Sequence, residues 1–298
     1  MSVSVRKATH SGTWYPSAPG DLAMQIASFH NNATARYPSS KAVIVPHAGY
    51  SYSGATAAYA YNCINFSGLD TVVVIGPSHR SHINNVAVSP ASEIETPLGN
   101  LTVHTTLAEK LIQDHPSYFS YISSAADQAE HSLEMQFPFI KFYTTLVDEM
   151  ANDNIKVLPL IVGDMSCSDC LQIGDILADL AHGPKTAFVI SSDFCHFGSR
   201  FGFTSVPSKG KALHERIKDL DMEAVKAIQT MDTAAWQEYL QRTGNTVCGR
   251  EPIRVMIAAL SQLGLHFDLV HYEQSNAARD ATDMSVSYVA GSFHSSFD

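Results

Sequence analysis

The most constraining feature of this chain is a set of short apolar runs, rich in β-branched residues, that never alternate with polar ones. Residues 42–45 (AVIV), 71–75 (TVVVI), 157–162 (VLPLIV) and 187–191 (AFVIS) all have strand length. A strand with one face in water alternates. One buried on both faces does not, and such strands belong to parallel sheets covered by helices. Helical patterns separate the runs, at 54–62, 107–114, 132–143 and 168–181, and continue at 208–229, 232–241 and 252–263. Pro252 suits the first turn of the last of these, where a missing N–H costs nothing. Two more strands, 267–273 and 285–290, close the chain. Segments 86–89 and 101–103 flank Pro97-Leu98-Gly99 and predict an antiparallel hairpin added to the parallel core. The fold class is therefore α/β, a three-layer α/β/α sandwich with a mixed, largely parallel sheet.

Composition narrows the partners. Charged residues are 16% of the chain, below the roughly 25% of an average domain. So few charges must hide much surface, in one thick domain or in an oligomer whose state the sequence leaves open. No repeat, low-complexity tract or long linker interrupts residues 1–298, which read as a single domain; the polar stretch 31–40 reads as a helix-to-strand connection. With 19 basic residues scattered against 29 acidic ones and a net charge of −10, the chain lacks the cationic patches a nucleic acid requires. No apolar run approaches the ~20 residues of a membrane span. The N-terminus lacks the apolar core of a secretory signal. The five cysteines are odd in number and irregularly spaced, which reads as reduced thiols in a cytoplasmic protein, with the nucleus as a second compartment.

Histidine is the outlier, with 14 copies against 19 Lys and Arg together. Placement matters more than number. One apolar run leads into Pro46-His47-Ala48-Gly49, a second into Gly76-Pro77-Ser78-His79, and a third into Ser192-Asp193-Phe194-Cys195-His196. Open α/β sheets bind ligands outside the carboxyl ends of their strands, so these residues converge on one crevice. Neutral imidazole is the commonest metal ligand, and two histidines need a further donor: Asp193, Glu130 or Cys248. Cys248 precedes a helix start, whose dipole favours a thiolate; a small thiol packing a loop is the competing reading. His196 has the chemistry of a proton carrier at cellular pH, and Asp193, three residues earlier, is placed to orient it.

Three other features carry less. His131 and Glu134 share a helix face at i, i+3, which suits residues that support ligands, as a solvated helix start would equally explain. Cys167-Ser168-Asp169-Cys170 is a lone CxxC without a second pair, and reads as incidental surface thiols. Trp14, beside Tyr15 and Pro16, is either an anchor for the N-terminal arm or a platform for a ligand.

Together HSGTWYP (10–16), PHAGYSYSG (46–54), GPSH (76–79), TPLG (96–99), EHSLEMQFPF (130–139), SSDFCHFG (191–198) and NTVCGR (245–250) resemble the Memo family, in order and over nearly the whole chain. That family is similar in fold to the LigB-type class III non-haem iron extradiol dioxygenases. The resemblance implies metal ligands at His47, His79 and Cys248, with His196 and Asp193 lining the pocket as its proton-handling pair. It puts the arm carrying His10 and Trp14 near the pocket mouth, and Glu130, His131 and Glu134 around the ligands. The dioxygenases use two histidines and a glutamate. A cysteine in the glutamate's place favours copper or a more covalent iron site. Three functions follow as expectations: a redox, oxidase-like metal protein; a non-catalytic pocket for a small molecule or a signalling peptide such as a phosphotyrosine segment, in keeping with the family's link to cell motility; and extradiol cleavage of a catechol.

Overall fold

The computed structural model describes residues 3–34, 36–148, 155–206 and 210–295. The chain runs β1 (Val5–Arg6), α1 (Pro19–Asn32), β2 (Ala42–Val45), α2 (Tyr50–Tyr61), β3 (Thr71–Pro77), β4 (Val86–Val88), β5 (Glu93–Ile94), β6 (Leu101–Val103), α3 (Thr105–Asp114), β7 (Phe119–Tyr121), α4 (Ser124–Ala129), α5 (His131–Glu134) and α6 (Phe137–Asp148). It continues with β8 (Lys156–Val162), α7 (Cys167–His182), β9 (Thr186–Ser191), β10 (His196–Phe197), α8 (Leu213–Gln229), α9 (Thr233–Thr243), α10 (Arg250–Leu260), β11 (His266–Gln274) and β12 (Ser285–His294).

The four continuous apolar runs are the heart of the sheet. β8, β3, β9 and β2 lie side by side and parallel, and β12 extends them antiparallel to β2, followed by β11. Both faces of these strands are covered. Val43, Val45, Val72, Val74 and Val189 pack toward α1, α2 and α6, while Ile44, Val73, Ile75, Phe188 and Ile190 pack toward α7, α8 and α10. That explains the missing alternation, because each aliphatic residue buried this way contributes roughly 1.5–3 kcal/mol whichever face it takes.

Three local expectations need correction. β4 and β6 do not pair with each other. Both lie along β8, β4 antiparallel to its end (Val86 opposite Val162) and β6 parallel to its start (Val103 opposite Val157). The Pro97–Gly99 turn does close a hairpin, but its other strand is β5. The helix expected at 132–143 is broken between α5 and α6, since Pro138 has no N–H to donate and its ring crowds the carbonyl four residues back. α2 starts four residues before the expected Gly54, where a Cβ would come within 2.4 Å of the Phe29 ring; the glycine lets α1 and α2 touch. The expected helix start at 208–209 lies outside the described residues, and α8 begins at Leu213.

Candidate metal centre

The carboxyl ends of β2, β3 and β9 open into one cleft of about 940 Å³, lined among others by His47, His79, His131, Asp193, His196 and Cys248. The hydrogen bonds behind the histidines fix their protons. Ser191 Oγ donates to the Ser132 carbonyl at 2.6 Å and accepts from Gln136 Nε2 at 2.9 Å. A hydroxyl has one proton to give, so at its 2.8 Å contact with His47 Nδ1 the imidazole must donate. His47 therefore carries its proton on Nδ1 and leaves the Nε2 lone pair free. His79 reaches the same state by another route, with Nδ1 donating to Glu130 Oε1 at 2.9 Å. Glu130 also accepts the backbone N–H groups of His79 (2.6 Å) and Ser132 (2.9 Å). Such carboxylate–histidine contacts set the tautomer and orientation of metal-binding imidazoles.

The donor atoms of His47, His79 and His131 lie within 4.8 Å of one another. The His131 ring stacks on that of His79 with centroids 4.5 Å apart, and Trp14 covers it at 4.7 Å. Burial and the neighbouring histidines bring His131 down to about 3, and burial, then His79, hold His47 well below the ordinary imidazole value. Both are neutral, as ligands must be. His131, expected to support ligands, thus stands among the clustered donors. Cys248 lies against one of them, its Sγ 3.2 Å from His47 Nε2, and accepts the Asp193 N–H at 3.3 Å.

The expected lowering of the Cys248 thiol is not found. Its enclosure and the Asp193 carboxylate push it up, and these outweigh a helix dipole that starts only at Arg250. The sulfur keeps its proton until a cation takes that place. Asp193 does not orient the His196 ring either. Its Oδ1 accepts the His47 backbone N–H at 2.8 Å, while His196 Nδ1 faces the carbonyls of Phe194 (2.8 Å) and Thr246 (3.0 Å). Two acceptors there place the proton on Nδ1 and leave Nε2 as the accepting atom. Burial pushes the Asp193 carboxyl up.

Glu134 stands one layer back, accepting from the His10 backbone N–H (2.7 Å), the Tyr15 hydroxyl (2.9 Å) and Arg6 (2.9 Å). It ties down the arm that carries Trp14, whose carbonyl accepts the Tyr50 N–H at 2.9 Å. Sequence reasoning missed Arg6, Gln136 and Ser191. Arg6 gave no signal; Gln136 is aimed inward by the break before Pro138, and Ser191 ends a strand among already noted residues. The CxxC reading was half right: Cys167 is exposed, but Cys170 is buried against Glu251. No helix among the described residues is long and apolar enough to cross a membrane.

Comparison with known proteins bears on the same residues. Residues 6–292 match the Memo family, described as Memo-like protein. The chain belongs to the Memo family. Relatives include the Protein memo-1 homolog of Caenorhabditis elegans, 37% identical over 96% of this chain and 81% of that one. The MEMO1 family protein MHO1 of Saccharomyces cerevisiae is 34% identical over 97% and 98% of the two chains. Protein MEMO1 of Mus musculus is 32% identical over 97% of each. Among solved structures, an uncharacterized Escherichia coli K12 protein, JW3007, superposes with a TM-score of 0.54 at 14% identity, covering 85% of this chain and 99% of that one. That likeness shows the fold alone. This Memo-family chain thus sets a histidine cluster able to hold a metal ion at the strand ends of such a sheet.

Proposed function

We propose that this Memo-family protein binds one copper or iron ion through His47, His79 and Cys248, with His131 beside them, and uses it in redox chemistry on a small molecule. The observation that carries this is the pair of imidazoles, each held with its proton on Nδ1 and its Nε2 lone pair free, one of them 3.2 Å from a thiol. Soft sulfur with imidazole suits copper or a covalent iron site, and such an ion, when bound, supplies one-electron chemistry. The protein's own residues do the rest. Ser191 and Glu130 orient the two imidazoles, Trp14 covers the His131 ring, and His196 can hold or release a proton at Nε2 for a ligand in the cleft.

Two other readings share the cleft. Its volume also suits a peptide segment, including phosphotyrosine, docked with no bond broken. Extradiol cleavage fits less well, because the group lying against a clustered imidazole in the expected third position is the Cys248 thiol and not a carboxylate. Elemental analysis of protein purified without added metal, followed by competition with a copper(I) chelator, separates these readings. Near-stoichiometric metal is expected, with affinity falling at least tenfold in Cys248→Ser and unchanged in Cys167→Ser. Wild-type affinity in Cys248→Ser would remove the thiol from the site. Protein that neither retains nor takes up metal would leave the binding pocket ahead.

A further inference from the structure

The part of the cleft next to His196 has its own chemistry. Arg200 lines it from a short 3-10 turn (Ser199–Phe201) directly after β10, so the guanidinium is three residues beyond β-strand His196–Phe197. The turn is fixed, with the Gly198 N–H donating to the Phe203 carbonyl at 2.8 Å and the Phe201 ring edge-on to His196 at 5.2 Å. Among the described residues Arg200 has no carboxylate partner, in a chain with 29 acidic residues and a net charge of −10. The other lining arginine, Arg250, is engaged, with Nη2 3.2 Å from Asp164 and Nε 3.6 Å from Glu251. The lining carboxylate, Asp193, faces the His47 N–H. One uncommitted positive charge is therefore presented to whatever enters.

The cleft is also lined by apolar surface. Tyr52 and Met284 leave 62% and 49% of their surface exposed there, and Phe201 beside His196 and Trp14 over His131 add two more rings. Large apolar side chains left open at a cleft mark a binding surface. A guanidinium reads a carboxylate through two parallel N–H···O bonds.

We propose that the cleft takes a small organic monoanion, a carboxylate on a flat apolar body, with Arg200 holding the carboxylate and Trp14, Tyr52, Phe201 and Met284 covering the body. This rests on reading the cleft as the ligand-binding part of the metal site and names the class of its ligand. A single free guanidinium balances one negative charge. With copper(I) neutralised by the Cys248 thiolate, the metal centre would add no net charge, and a phosphate dianion would enter with its second charge uncompensated, so the carboxylate is favoured over phosphotyrosine.

The test uses three probes with one ring and different heads: benzoate, phenyl phosphate and benzyl alcohol. Binding is followed by saturation-transfer NMR and calorimetry on wild type and Arg200→Gln, and metal content is measured on the same samples. Benzoate is expected to bind at least tenfold tighter than benzyl alcohol and tighter than phenyl phosphate, and Arg200→Gln to abolish the preference. Arg200 is exposed, so the variant keeps the wild-type circular dichroism and melting point. Benzyl alcohol binding as well as benzoate, or benzoate indifferent to Arg200→Gln, overturns the proposal. Tighter binding of phenyl phosphate overturns it in favour of a phosphorylated ligand. Metal-free protein that still prefers benzoate supports it while removing the metal reading; metal-loaded protein that binds none of the probes does the reverse.

Discussion

Two buried carboxylate networks flank the cleft, and they are built on opposite terms. On the side of the N-terminal arm, Arg6 is enclosed at 1% exposure. It binds Asp127 at 3.1 Å and Glu134 at 2.9 Å, and donates to the Asp127 and Glu130 carbonyls at 2.7 Å each. Burial pushes the Glu134 carboxyl up, but the His10 hydrogen bond and the Arg6 charge outweigh it and bring it to about 2. On the other side, Asp221 of α8 is equally enclosed but has no cationic partner among the described residues. It accepts from the Cys195 N–H (3.2 Å), Asn245 Nδ2 (3.0 Å) and the Tyr272 hydroxyl (2.9 Å). There burial prevails, and the carboxyl is pushed up to about 6. Enclosure alone thus does not set the direction; a cation inside the same enclosure does. Both networks hold site loops, the first through Glu130 to His79 and the second through the residues before His196 and Cys248.

The largest effect belongs to Arg6. Arg6→Met keeps the bulk and removes the charge, which leaves Asp127 and Glu134 buried without compensation. A loss of about 3–5 kcal/mol is expected in urea unfolding. A loss below about 1 kcal/mol would mean that the two sides do not differ as argued.

Next comes the acid limb. Glu134 has its folded value near 2 against an ordinary 4.5. Its stabilisation, on the order of 3 kcal/mol, is complete above 4.5 and is lost as pH falls toward 2. Glu134→Gln should flatten that limb in thermal melts taken across the range. Asp221 has the opposite sign and a slightly smaller reach. Its folded value near 6 against 3.8 makes the protein most stable, on its account, below pH 3.8. On the order of 2–3 kcal/mol is then lost as pH rises through 6. Asp221→Asn should remove that slope; a slope unchanged in the variant would refute the assignment.

The contrast also shows what the sequence made legible. The four central strands could be read because burial on both faces leaves a local trace, an unbroken apolar run, and their last residues pointed to His47, His79 and Asp193. Strand partners left no such trace. The choice of β8 over a local hairpin for β4 and β6 depends on a seven-residue strand more than fifty residues downstream, long enough to seat both. Arg6 and Asp221 were invisible for a related reason. Charged residues are ordinarily on the surface, and only the closed chain shows which are enclosed with a partner. The Cys248 thiol was misread because a helix dipole can be inferred from sequence, whereas enclosure beside Asp193 cannot. His131 was noted for its helix position, but its stacking on His79 follows from how α5 packs beside the end of β3.

The smallest expected effect lies next to the largest. Lys7 follows Arg6 in the chain and also has an acidic partner, Glu95 Oε2 at 2.6 Å, a shorter contact than either Arg6 ion pair. If distance decided the matter, Lys7 would be the stronger anchor. Its side chain is 60% exposed and that of Glu95 40%, so water and salt screen the pair, and holding two flexible chains together offsets much of the attraction. Lys7→Ala should therefore cost no more than about 0.5 kcal/mol, and less still in 1 M salt. Arg6→Met in the same salt should keep nearly its full loss, because its partners are out of reach of ions. Unfolding both variants at low and high salt measures the difference directly. A Lys7 effect approaching that of Arg6 would show that proximity, and not enclosure with a matched charge, holds the arm against the cleft.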